Sequence, residues 1–259
     1  MERHRDPLIE QFERDGYVIV RDVIDPALTA HAGRHVDWLL HRHPGRRGED
    51  LGDDLIADDP FWLSLIGDDR LIGLAARFLG PDLALFASHY ISKPPGAGRA
   101  VLWHQDGGYW PLEPMAVLSC WLAIDESTPQ NGCLRVIPGS HRDGIHPRRL
   151  RSDVDSVFGD ESSIDIDEDA AVDVQLTPGD VEIHHPALVH GSAPNRSLRR
   201  RCGLTIRYIP TTTRIATDEQ PWRCAFHLRG REGVNVYRQR PTFDPARHFP
   251  LFGAATAVR

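Results

Sequence analysis

Up to residue 80 the apolar positions recur at helical spacing, and from Leu83 onward they collect into short runs divided by turn residues. Asp6 as cap, Pro7 in the first turn, the shared face of Leu8, Ile9 and Phe12, and Gly16 as the stop predict a short helix. Tyr17 to Val20 is a β-prone run. Asp25 and Pro26 open a second helix with the buried stripe Leu28, Ala32, Val36 and Leu39. Residues 43–57 are polar and glycine-rich and predict a loop. A third helix is expected from about Asp69 to Leu79, ending at Gly80.

The runs LALFASHYI, AVLWHQD, AVLSCWLAI, CLRVI, AVDVQL, DVEIHH and LTIRYI are spaced as an antiparallel barrel or sandwich requires. The expected fold class is mainly β with helical additions, in a single domain. A helical N-terminal layer covers 1–80, a jelly-roll core 83–213 and a C-terminal extension 214–259. Two stretches interrupt the pattern: an acidic insertion over 143–172, and a tail beyond Thr213 rich in Arg, Pro and aromatics. Each is long for a plain connection and reads as a functional flap or a poorly ordered segment.

Hydrophobic residues at 41% and charged residues at 26% are ordinary for a chain with a real core. A formal charge of −7, with acids interleaved among the arginines, argues against a nucleic-acid partner. No apolar stretch approaches the roughly 18 residues that span a bilayer, and MERHRDPLIEQF has no apolar signal core. A cytoplasmic protein without a membrane partner is expected, a monomer or homodimer acting on a small molecule. Cys120, Cys133, Cys202 and Cys224 show no paired spacing and read as reduced, mostly buried thiols.

The strongest chemical signal is His104-Gln105-Asp106. On a strand, residues two apart point the same way, so His104 and Asp106 can grip one ion while Gln105 faces elsewhere. That tripeptide alone is unspecific. His190 follows the strand-like DVEIHHPALV and is the third candidate ligand. Two imidazoles and a carboxylate on one side of a metal leave three open positions, as in non-haem Fe(II) oxygenases.

In order along the chain, SKPPGAG, WHQDGGYW, NGCLRVIPGSH, LTPGD and HGSAPNRS resemble the phytanoyl-CoA dioxygenase family of iron(II)/2-oxoglutarate oxygenases, over about residues 10 to 213. The resemblance implies a double-stranded β-helix, a cupin-like jelly roll. It also implies Fe(II) as cofactor, 2-oxoglutarate as co-substrate and O2 as oxidant, with release of succinate and CO2. His104, Asp106 and His190 match the iron ligands that carry catalysis. Arg201, eleven residues after His190 (201 − 190), matches the arginine that holds the far carboxylate of 2-oxoglutarate. A guanidinium suits that task because it grips a carboxylate as a fork. Ser192 and Gln105 match secondary co-substrate contacts, Trp121 an aromatic wall, and His89 a further contact whose role stays open. Halogenating relatives replace the carboxylate ligand with a small residue. Asp106 is intact, so hydroxylation is expected, with desaturation or ring formation open on the same chemistry.

Arg196, Arg199, Arg200 and Arg207 compete with Arg201, and strand alternation places Arg201, Thr205 and Arg207 on one face. Arg207 pointing inward would meet an anionic substrate; pointing outward it makes a rim salt bridge. Tyr109 and Trp110 line a substrate pocket or fill the core. His31 and His35 have a zinc-compatible i, i+4 spacing without further ligands, and read as solvated or capping residues. One of His184 and His185 must face the barrel interior, as a satisfied core histidine. Residues 152–169 hold eight acids and no Lys or Arg, so a flexible lid is expected there, with Val154, Val157, Phe158, Ile164 and Ile166 as its apolar side. A cupin-type metal protein, acting as an isomerase or a non-catalytic small-ligand binder, is the alternative; it does not call for Arg201.

Overall fold

The computed structural model describes residues 6–253. Helix α1 (Pro7–Asp15) starts where Asp6 accepts from Leu8 N, and ends at Gly16, whose φ of 80° is open to glycine. Strand β1 (Tyr17–Val20) leads to α2 (Pro26–Arg42), capped by Asp25 on Leu28 N. The stretch expected to be a loop carries a 3₁₀ turn at Gly48–Asp50 and a short helix, α3 (Asp53–Ile56). The cause is tertiary: Tyr90 N donates to Leu51 O, and Ser88 N donates to Asp53 Oδ1 at 3.0 Å. Helix α4 (Pro60–Ile66), capped by Asp59, repeats the Asp-Pro start of α1 and α2 and escaped the periodicity reading because nearly all of it is buried. Helix α5 (Asp69–Leu79) has the expected limits.

The β region follows as β2 (Leu83–Lys93), β3 (Val101–His104), β4 (Leu112–Glu113), β5 (Leu118–Ala123) and β6 (Leu134–Val136). A hairpin of β7 (Arg148–Leu150) and β8 (Asp160–Ser162) precedes β9 (Val172–Val174), β10 (Val181–His184) and β11 (His190–Ser192). The chain closes with β12 (Arg201–Pro210), β13 (Arg214–Ile215) and β14 (Phe226–Arg229). Six strands form one antiparallel sheet in the order β1-β10-β5-β12-β2-β14, and four form a smaller one, β3-β11-β6-β9. This is a jelly roll.

Alternation along the central strands divides their side chains between two environments. Cys202, Leu204, Ile206 and Tyr208 of β12, with Leu118, Cys120 and Leu122 of β5 and Val181 and Ile183 of β10, join the core shared with the helices. The opposite faces carry Arg201, Thr205, Arg207, Ser119, Trp121, Glu182 and His184, all buried. Polar chemistry is thus concentrated between the two sheets. All four cysteines are buried free thiols.

Three expectations need correction. The tail beyond Thr213 is not a loose extension, for β14 pairs with β2 as an edge strand and Cys224, Ala225 and Phe226 are fully buried. His35 is not solvated: at 0% exposure its Nε2 donates to Asp59 Oδ2 at 2.8 Å, and the Tyr90 hydroxyl meets Nδ1 at 3.1 Å. Beside it, His31 packs edge-on to Phe61 and against Phe249, because the C-terminal segment folds back over α2. The acidic insertion, expected to repel itself into a flexible lid, contains the paired strands β7 and β8. Arg148 bridges Asp160 at 2.8 Å, and Arg149 and Arg151 both bridge Glu161. Counting only residues 152–169 left out these three cations just before them.

Candidate active site

Strand β3 ends at His104, Gln105 remains extended, and Asp106 opens a 3₁₀ turn, Asp106–Tyr109. The extended Gln105 carries strand alternation one step past the strand, so His104 and Asp106 still share a side. His190 lies directly opposite His104 in the β3–β11 register. His104, Asp106 and His190 each offer a ligand atom, all within 4.8 Å of one another and all buried. His104 Nδ1 donates to Leu102 O and His190 Nδ1 to Leu188 O, both at 2.9 Å. Those bonds fix the tautomers and leave both Nε2 lone pairs for a metal. Asp106 Oδ1 lies 3.7 Å from His104 Nε2 and 3.9 Å from His190 Nε2. Its Oδ2 accepts from Ser119 Oγ at 2.7 Å and His184 Nε2 at 3.2 Å.

Burial alone would raise the Asp106 carboxyl; Arg207, His104, His184 and His190 outweigh it and hold it well below the usual range. His190 is pushed well below its ordinary value by burial and then by His104 and His184, so it is neutral and can bind a metal. Behind the triad, burial opposes charge on His184, but Glu182 and Asp106 prevail and hold it at about 9.

A small cavity opens beside the triad, lined by Trp121, Ser192, Arg201, Thr205 and Arg207 among others. Arg201 is 1% exposed, with its guanidinium 4.8 Å from the Trp121 ring centroid. Its Nε and Nη1 have no hydrogen-bond partner among the described residues. Burial pulls it down only to about 10, so a full positive charge stands at neutral pH without an anion. An unpaired buried guanidinium is expensive, and a dicarboxylate reaching from the metal would satisfy it. The residues therefore fit both a divalent metal and 2-oxoglutarate. Ser192 is held by Lys93, whose Nζ donates to its Oγ at 2.7 Å, and Lys93 faces Arg201 in the β2–β12 register. Arg199 and Arg200 point away, paired with Glu126 and with Asp125 and Asp37.

Two expected co-substrate contacts lie elsewhere. Gln105 does not line this cavity; Nε2 donates to Gly144 O and Ala187 O, and Oε1 accepts from His146 N, each at 2.7 Å. Because His104 and Asp106 on either side of it face the cavity, Gln105 turns outward, where it ties the insertion to the β10–β11 loop. His89 faces a second cavity with Asp53, Tyr109, Trp110, Phe158 and Arg207, on the other side of Asp106. Arg207 is buried, donates to His89 Nδ1 at 3.0 Å and approaches Asp106 at 3.5 Å. Tyr109 bonds Asp160 under the Arg148 guanidinium, and the Phe158 ring sits 5.2 Å from that of His104. Phe158 is the one member of the expected lid set that lines these cavities.

Sequence reasoning missed Glu182, Ser119, Lys93 and Asp53. A charged residue inside an otherwise apolar strand was the available signal for Glu182 and Lys93; Ser119 and Asp53 had none, because only cross-strand register brings them in.

Comparison with known proteins agrees with this geometry. The family model described as Phytanoyl-CoA dioxygenase (PhyH) matches residues 12–203. Phytanoyl-CoA dioxygenase 1 of Oryza sativa subsp. japonica is 37% identical over 49% of this chain and 45% of its own length. The chain thus spans about half the length of the curated relatives it matches. Among solved structures, the non-heme monooxygenase ThoJ in its apo form is 27% identical with a TM-score of 0.78, over 90% of this chain and 88% of its own. EvdO2 from Micromonospora carbonacea var. aurantiaca, complexed with 2-oxoglutarate, is 26% identical with a TM-score of 0.66, over 86% and 97%. No helix among the described residues is long and apolar enough to cross a membrane.

Proposed function

The chain belongs to the phytanoyl-CoA dioxygenase family, and we propose that it is an Fe(II)- and 2-oxoglutarate-dependent dioxygenase that hydroxylates an unactivated carbon of a small-molecule metabolite. The observation that carries this reading is Arg201: a buried guanidinium, two of its nitrogens unpartnered among the described residues, in the cavity that opens on the His104–Asp106–His190 triad. A cupin-type isomerase or simple binder has the triad but leaves that cation without a purpose.

When bound, the iron couples O2 reduction and decarboxylation of 2-oxoglutarate to oxidation of the substrate carbon. The chain's own residues divide the remaining work. His104 and His190 present fixed Nε2 lone pairs, and Asp106 adds one negative charge. Arg201 takes the far carboxylate as a fork, stacked on Trp121, and Ser192 adds a hydroxyl positioned by Lys93. The second cavity receives the substrate. Arg207 Nε and His89 Nε2 have no partner there among the described residues, so an acceptor-bearing, preferably anionic, group docks between them. Tyr109, Trp110 and Phe158 wall off water, which keeps the oxidant for the substrate.

Anaerobic titration of the metal-loaded protein with 2-oxoglutarate tests the reading. Breaking a charge-assisted fork in a dry pocket costs on the order of 2–5 kcal/mol, so Arg201→Ala should weaken 2-oxoglutarate binding at least thirtyfold while metal affinity stays near wild type. Normal 2-oxoglutarate binding by Arg201→Ala, or its loss in Arg199→Ala instead, would sink the assignment. Succinate release against a panel of small carboxylates then narrows the substrate.

A further inference from the structure

Two buried polar residues behind the triad are not used by the reaction just described. Glu182 is 0% and His184 3% exposed, on the cavity face of β10. Glu182 stands opposite Trp121 on one side and Ile19 on the other, and its Oε1 has no partner among the described residues. A carboxylate in such company is costly, and one that serves only packing is readily replaced by an apolar side chain. Its Oε2 lies 2.8 Å from His184 Nδ1, and His184 Nε2 lies 3.2 Å from Asp106 Oδ2. The register sets His184 directly opposite Ser119, whose Oγ donates to the same Oδ2 at 2.7 Å. Arg207 Nη2, at 3.5 Å, approaches from the third side. Arg207 lies equally far from both oxygens, but Ser119 and His184 reach only Oδ2, while Oδ1 is left facing His104 and His190 Nε2.

We infer that Glu182 and His184 are positioning residues that hold Asp106 to one-oxygen coordination and so keep three metal positions free. A carboxylate with both oxygens unrestrained can chelate a divalent ion and fill a further position. Six-coordinate iron with three protein atoms leaves two positions for the 2-oxo acid end of 2-oxoglutarate and one for O2. A chelating Asp106 removes one of them. His184 and Ser119 occupy the lone pairs of Oδ2 that such a swing requires, and Glu182 fixes the His184 ring so that Nε2 points at Asp106. The inference rests on the iron and 2-oxoglutarate reading above, but the coordination mode of Asp106 is measurable without co-substrate.

The test uses full-length protein loaded with Ni(II). Metal-minus-apo infrared difference spectra report the splitting between the antisymmetric and symmetric carboxylate stretches, which is wide for one-oxygen and narrow for two-oxygen coordination. Bands belong to Asp106 if they vanish in Asp106→Ala. Wild type should show the wide splitting, and His184→Leu the narrow one. His184→Gln, whose amide can donate to Oδ2, should return it to wide, and Glu182→Leu should follow His184→Leu whereas Glu182→Gln should not. Ni(II) affinity of His184→Leu should stay within about threefold of wild type, and its affinity for 2-oxoglutarate should fall about tenfold or more. An unchanged splitting in His184→Leu overturns the inference, as does loss of Ni(II) binding, which would make His184 a support of the whole site. A narrowed splitting in a protein whose wild type ignores 2-oxoglutarate upholds the inference and overturns the co-substrate reading instead.

Discussion

Gly203 shows how one missing side chain shapes the cavity beside the triad. A Cβ there would collide with the Trp121 ring, the same ring that backs Arg201. Gly203→Ala must push the indole aside, at about 1–3 kcal/mol of overpacking. Its thermal midpoint should drop by several degrees, and 2-oxoglutarate binding should weaken more than metal binding. Equal effects on both ligands would mean that Trp121 only fills space. His185 acts on acid stability. It packs beside Phe12 and accepts from Ala187 N through Nδ1 at 3.1 Å. Burial first, then His141 and His184, push it down to about 4. A histidine depressed in the folded state lets the unfolded chain bind the proton first, so its contribution is present above about pH 6.5 and lost as pH falls toward 4. Allowing for partial exposure, that contribution is about 1–2 kcal/mol. Urea midpoints of the metal-free protein between pH 6.5 and 5 should therefore fall less in His185→Asn, whose carbonyl can still accept from Ala187. Parallel slopes would assign the acid sensitivity elsewhere.

At the level of elements, the β7–β8 hairpin is the part whose order depends most on charge pairing. Asp160 and Glu161 are 8% exposed, and Glu161 receives both Arg149 and Arg151. Removing Glu161 takes a carboxylate from both, leaving Arg151 with Asp153 alone. Glu161→Ala should loosen the hairpin and speed tryptic cleavage after Arg148, Arg149 and Arg151 by about tenfold. Because the hairpin carries Phe158 over both cavities, the same variant should release more succinate per substrate oxidised. Wild-type cleavage kinetics would show that the β-pairing alone holds the segment. The helical layer behaves differently. Its starts, Asp6-Pro7, Asp25-Pro26 and Asp59-Pro60, are local devices.

For the whole molecule, a metal held by the triad would tie the two sheets together, since His104 and His190 come from the smaller sheet while Asp106 is braced by Ser119, His184 and Arg207 of the larger. Ligand binding stabilises the folded state by about 2.7 kcal/mol at a hundred times the dissociation constant. In a chain of this size that should raise the melting point by about 5–10 °C. Ni(II) titration followed by calorimetry should show the rise in wild type. His104→Gln should erase most of it while leaving the metal-free midpoint nearly unchanged. A full shift in that variant would place the stabilising ion elsewhere.

What the amino-acid order alone determined was whatever acts over a few residues. Alternation aligned His104 with Asp106 and Arg201 with Arg207, Asp-Pro pairs started helices, and ordered motifs carried the family likeness. These are neighbour effects, set by helical and strand periods. Tertiary structure decided which distant groups meet. It turned Gln105 from the cavity beside the triad, set His89 on the second cavity, buried His35 against Asp59 and Phe249, and added β14 to the large sheet. It also supplied Asp160 and Glu161 with arginines and set Glu182 and His184 behind Asp106. Such encounters follow from strand register and from how segments far apart in the chain fold back to bury apolar surface, and no period along the sequence encodes them.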